Sequence, residues 1–143
     1  MTVEDFVKLM NDDLRNEWTH LNFYLYHASA VSGLHAHEYK EFFTDAAKGE
    51  MQHVQQFLDR LFGLECKTPT AEGKVFPVFY KVADALTYAL AIERAVVIIY
   101  AERIAQAETL PDPVGKYLAV FYEDQMQDSY EDAEHIQRLL YNL

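Results

Sequence analysis

The stretch from Lys48 to Phe57, K-G-E-M-Q-H-V-Q-Q-F, places Glu50 three residues ahead of His53. On an α-helix that spacing puts a carboxylate and an imidazole on one face, aimed at a common centre. Both are ligands of divalent transition metals. The same relation recurs at Asp132 and His135, and two further carboxylates, Glu17 and Glu93, interrupt otherwise apolar stripes. Four acids and two histidines are the donor set of a paired-metal centre, with carboxylates bridging and imidazoles terminal. A lone E-x-x-H occurs often by chance on wet helix surfaces. Glu17-Trp18-Thr19-His20 is such a copy, and His20 is not expected to ligate.

The elements that must position these groups are helices. Glycine and proline cluster at Ser32-Gly33-Leu34, from Gly63 to Pro77, and at Leu110-Pro111-Asp112-Pro113. Between these breaks the apolar periodicity predicts helices near 3–32, 37–62, 79–109 and 113–141. Two connections are short and join antiparallel neighbours, while the middle one is long enough to run the length of a bundle. The expected fold is therefore all-α, a four-helix bundle with a long crossover between the second and third helices, in a single domain over 1–143.

Steps of three and four trace the inward faces. The first helix reads Val3, Phe6, Met10, Leu14, Leu21, Tyr24, Ala28 and Val31 around Glu17. The second carries Phe43, Ala46, Phe57 and Leu61 beside Glu50 and His53. The third runs Val82, Leu86, Ala89, Val97, Tyr100, Ile104 and Ala107 around Glu93. The fourth reads Val114, Leu118, Phe121, Gln125, Asp128, Asp132, His135 and Leu139. Burying an isolated carboxylate costs more than a domain's net stability, so such acids need a cation or a partner. Glu17 precedes the first turn by about as much as Glu50 follows it, and Glu93 and Asp132 flank the last turn similarly. The six donors are expected at one height.

Composition narrows the function classes. A formal net charge of −11 argues against nucleic-acid binding. The longest apolar runs, such as Ala95 to Ala101, are too short to span a bilayer. No basic leader precedes an apolar stretch, and the single cysteine, Cys66, suits a reducing compartment, so a cytoplasmic location is expected.

The residues resemble the ferritin-like superfamily, and within it bacterioferritin. N-E-W-T-H-L-N-F-Y-L-Y-H-A, Asn16 to Ala28, is similar to that family's first-helix motif, with Glu17 as terminal ligand, Tyr24 beside the metal site and His27 as a nearby family histidine. E-M-Q-H matches the family's E-M-x-H, which implies a bridging Glu50 and a terminal His53. A-L-A-I-E-R supplies Glu93, and D-A-E-H supplies Asp132 and His135. The resemblance implies two iron ions per chain and ferroxidase activity: oxidation of Fe(II) by dioxygen or peroxide, for iron storage or detoxification. The alternatives are a small rubrerythrin-like peroxide reductase without mineral storage, and a helical interaction module without metal. Tyr24 would hydrogen-bond a ligand or supply an electron, or else serve as a core tyrosine.

Asp132 departs from the family glutamate by one methylene, which puts bridging of both metals in question. Asp128 lies one turn earlier, as a group supporting the ligands from behind, an auxiliary cation site or a wet edge. Met51 stands where bacterioferritins place the axial ligand of haem b across a twofold interface; the alternatives there are haem ligation and plain packing. A second apolar stripe surrounds it: Ala47, Val54, Leu58 and Phe62, matched on the first helix by Leu14, Trp18, Leu21 and Leu25. That stripe suggests a homodimer face, and the resemblance suggests a larger shell. Bacterioferritins carry a short fifth helix at the cage axis, which is not expected in this chain.

Overall fold

The computed structural model describes all 143 residues, in four helices and no strand. These are α1 (Val3–Ala30), α2 (Ala36–Gly63), α3 (Val82–Ala107) and α4 (Val114–Tyr141), each within three residues of expectation. The chain groups into two compact units, Val7–Ala85 and Leu86–Leu143 with Met1–Phe6.

Local chemistry sets the helix ends. Thr2 and Asp5 cap α1 reciprocally: the Asp5 N–H donates to the Thr2 hydroxyl (3.1 Å) and the Thr2 N–H to the Asp5 carboxylate (3.2 Å). Past α1, Gly33 adopts φ 104°, a left-handed conformation open to glycine at little cost. At the start of α4, a Cβ on Gly115 would fall 2.7 Å from the carbonyl oxygens of Ala107 and Leu110, so only glycine fits this turn.

In the unit Val7–Ala85, α1 and α2 form a hairpin, and the crossover from Leu64 to Lys81 returns along α1 as an extended strap. From Asn11 to its end α1 is about 30 Å long at ~1.5 Å per residue. The strap from Thr70 to Tyr80 covers a similar length at roughly 3.3 Å per residue. The two run in register. The Thr70 N–H donates to the Asn11 side chain (2.8 Å) and the Trp18 indole N–H to the Thr70 carbonyl (2.9 Å). The Lys74 N–H donates to the Thr19 hydroxyl (2.8 Å), the Phe79 N–H to His27 Nε2 (3.0 Å), and the Ser32 N–H to the Tyr80 carbonyl (2.8 Å). An irregular segment thereby satisfies backbone groups that a buried loop would otherwise leave costly.

In the other unit, Tyr122 is buried and meets Phe6 and Tyr100 edge to face, at ring-centroid distances of 5.7 and 5.1 Å. Two of the expected stripes are corrected here. On α4 the buried residues run Leu118, Tyr122, Gln125, Ser129, Ala133 and Ile136, in steps of three and four, while Asp128, Asp132 and His135 flank them and are exposed. The acids drew the reading by their chemistry; the small residues beside them are what the helix buries. The outward stripe on α1 and α2 also divides. Leu14, Ala47 and Val54 are core, and Trp18 is half-buried with its N–H on the strap. Leu25, Met51 and Phe62 remain more than half exposed.

Close approach of the strap makes Gly73 a sensitive position. A Cβ there would lie 2.6 Å from the Thr19 backbone nitrogen and 2.7 Å from its hydroxyl. Gly73→Ala is expected to cost about 1–3 kcal/mol in denaturant unfolding and to speed amide exchange across the strap. An unchanged unfolding midpoint would contradict this docking.

Candidate metal centre

α1 and α2 each carry their acids on an apolar face, and the hairpin brings those faces together. Glu17 comes from the middle of α1; Glu50 and His53 come from one turn of α2. All three are buried, at 1%, 3% and 6% exposure, and their donor atoms lie within 4.8 Å of one another. His53 Nδ1 is 3.5 Å from a carboxylate oxygen of Glu17 and 3.5 Å from one of Glu50. That separation exceeds a good N–H···O hydrogen bond. It suits donors sharing a cation, because bonds of ~2.1 Å set neighbouring ligand atoms roughly 3.0–3.4 Å apart. Two carboxylate oxygens and an imidazole nitrogen are a donor set for iron, zinc or manganese.

The electrostatics favour the same reading. Burial pushes His53 down, but Glu17 and Glu50 outweigh it and hold the imidazolium up to about 12. Burial pushes Glu17 up, and Glu50 and His53 outweigh it, holding the carboxyl down to about 2. With both acids ionised, the protonated cluster carries one net negative charge in a dry setting. A divalent cation that replaces the proton brings it to neutrality.

The other candidate residues differ in burial and partners. His20, one turn beyond Glu17, is buried; burial lowers its pKa, against the pull of Glu17. It is a neutral imidazole beside the cluster. Tyr24 is buried between Phe23 and Phe43. His27 is fully buried, but both ring nitrogens are taken by backbone, so its role is structural. Asp13 is as deeply buried as Glu17 and was not anticipated. The signal was its i, i+4 spacing to Glu17 on the same face. In the other unit, Glu93 is buried at 1% exposure in the middle of α3, whereas Asp132 and His135 lie exposed on α4. Met51 is 56% exposed on the outward side of α2.

The signs of these shifts set a pH window. The Glu17 contribution to stability is whole above 4.5 and lost as pH falls toward 2. The His53 contribution is whole below 6.5 and lost as pH rises through about 12. Metal uptake at pH 7 must therefore expel the His53 proton. Calorimetric titration with Zn(II) in buffers of different ionisation enthalpy is expected to show about one proton released per chain through this site, with affinity rising as pH rises. Binding at this site without proton release would contradict the assignment.

Comparison with known proteins accords with this arrangement. The model of the family described as Ferritin-like domain matches residues 7–143. No curated protein matches the sequence significantly. Among solved structures, a chain described as ferritin-like, diiron-carboxylate, from Bacillus anthracis str. Ames, is 27% identical. It aligns over 96% of both chains with a TM-score of 0.86. A dodecameric thioferritin from Bacteroides fragilis, a bacterioferritin-related protein, is 21% identical. It covers 99% of this chain and 91% of its own, with a TM-score of 0.68, and shows the fold alone. The chain belongs to the ferritin-like family and has its four-helix bundle fold.

Proposed function

We propose that the chain acts as a single domain and is a ferroxidase, oxidising Fe(II) with dioxygen or peroxide at a centre of two irons. The observation that carries this reading is the buried convergence of Glu17, Glu50 and His53. Glu93, Asp132 and His135 are proposed to complete the ligand set, by the sequence resemblance and by the diiron-carboxylate character of the Bacillus anthracis relative. Bound iron would supply the electrons, since each Fe(II) gives up one on passing to Fe(III).

The residues of the chain contribute position and charge. Glu17 and His53 would each hold one metal, and Glu50 would bridge. Their burial excludes bulk water and strengthens attraction to the cation. His20, neutral beside them, adds no opposing charge. The shorter Asp132 reaches less far than a glutamate and suits a ligand to one iron. Tyr24 is a candidate hydrogen-bond or electron donor near the pair. An exposed site on α4 also gives Fe(II) an acidic surface to meet, with Asp128 and Glu131 beside Asp132.

At this centre Glu50→Ala or His53→Ala is expected to slow Fe(II) oxidation at least tenfold, while helicity by circular dichroism stays near wild type. Stopped-flow absorbance of the ferric product in the near ultraviolet reads the rate. Wild-type rates in both variants would overturn the assignment.

Two further expectations attach to the outward face. Leu25, Met51 and Phe62 leave apolar surface exposed on α1 and α2, which supports association of copies in a dimer and in a larger shell. Met51 is proposed to ligate haem b there. Met51→Leu should abolish the haem Soret absorbance of reconstituted protein and leave iron oxidation unchanged. Haem absorbance that survives this substitution would rule out Met51 as the ligand.

A further inference from the structure

We infer that His27 is a latch holding the second half of the strap on α1, and that protonation of its ring opens the latch. Geometry fixes the closed state. Nδ1 lies 2.8 Å from the Phe23 carbonyl oxygen, which only accepts, so Nδ1 carries the hydrogen. Nε2 lies 3.0 Å from the Phe79 nitrogen, whose N–H only donates, so Nε2 is bare. The ring is therefore the neutral Nδ1–H tautomer. A proton on Nε2 would set two donors face to face and break the bond to the strap.

The surroundings offer an imidazolium no carboxylate to balance its charge. The ring is fully buried among aromatic groups: Phe23 and Tyr26 from α1, Phe43 from α2, and Phe76 and Phe79 from the strap. No carboxylate or cation is among them, and the Tyr26 phenol is the titratable member. Burial lowers the His27 pKa below its usual 6.5, with partial recovery from the Phe23 carbonyl. A docked strap thus binds fewer protons than a released one. Docking is whole above about 6.5 and weakens as pH falls, by up to about tenfold per unit.

Release is confined to one stretch. The contacts of Thr70 with Asn11 and Trp18, of Lys74 with Thr19, and of the Ser32 N–H with the Tyr80 carbonyl use amides, an indole and a hydroxyl, none of which titrates in this range. The freed segment is Phe76 to Phe79. Its departure uncovers His27 and Phe23, and Phe23 is one of the two rings that pack against Tyr24. The latch thus ties acidity to the cover over the aromatic layer behind Tyr24, whether or not metal is bound.

Hydrogen exchange of the full chain, read by mass spectrometry and corrected for the intrinsic pH dependence of exchange, tests this. Between pH 7.5 and pH 5.5, protection over residues 76–79 should fall several-fold, toward a ceiling of about tenfold, with α1 and α2 unchanged. His27→Gln places an oxygen that accepts from the Phe79 N–H and does not titrate, so its strap should stay protected at both pH values. Unchanged protection in wild type overturns the proposal. So does an equal acid loss in His27→Gln, which would assign the effect to another group. If that variant does not fold, the His27 ring resonances of wild type decide. They must titrate in step with strap exchange, and a ring that stays neutral while the strap opens overturns the latch.

Discussion

Two carboxylates and an imidazole are buried together in this protein, and the elements around them are constrained to hold them there. Glu17, Glu50 and His53 are each almost wholly buried. An isolated buried carboxylate is too costly for a domain to carry, so these acids require positive charge at the same place. In the metal-free chain a proton on His53 provides it, held far above the ordinary histidine range. A divalent cation provides it more completely, because it balances both acids and frees the imidazole to donate a lone pair. The metal-free state is therefore protonated for stability and poised for exchange of that proton against metal.

Contacts along α1 and the crossover keep the cluster in register. Glu50 and His53 share a helix face by spacing alone, but Glu17 meets them only if α1 is held at one height and rotation. Reciprocal capping at Thr2 and Asp5 fixes where α1 begins, and Gly33 lets the chain reverse after it. The strap then holds the chain from Asn11 to Ser32 through its own main-chain groups. Their partners on α1 are the side chains of Asn11, Trp18, Thr19 and His27, so the register depends on side-chain identity in α1 more than in the strap. Gly73 is the exception in the strap, because it must lack a side chain.

The helices and the Glu50–His53 pair were legible in the sequence because each is a local pattern, and Glu17 was legible from its level before the first turn. Punctuation by glycine and proline marked the helix ends, and i, i+3 spacing marked Glu50 and His53. The α4 face was misread for a physical reason. Ser129 and Ala133 carry little hydrophobic signal, so the acids beside them looked like the continuation of the stripe past Gln125. The strap was hidden for another reason. Its bonds run between backbone amides and residues some fifty positions away, such as Trp18 with Thr70, and no periodicity reports them. His27 shows the same limit: a histidine that resembled a site residue turned out to clasp the backbone.

The claim that matters most is that Glu17, Glu50 and His53 hold a metal. Crystals grown without metal, soaked anaerobically in Fe(II) and measured on both sides of the iron absorption edge, test it directly. The account predicts two anomalous peaks per chain, one of them bounded by Glu17, Glu50 and His53. Iron bound only elsewhere, with this cluster left to its proton, would contradict it.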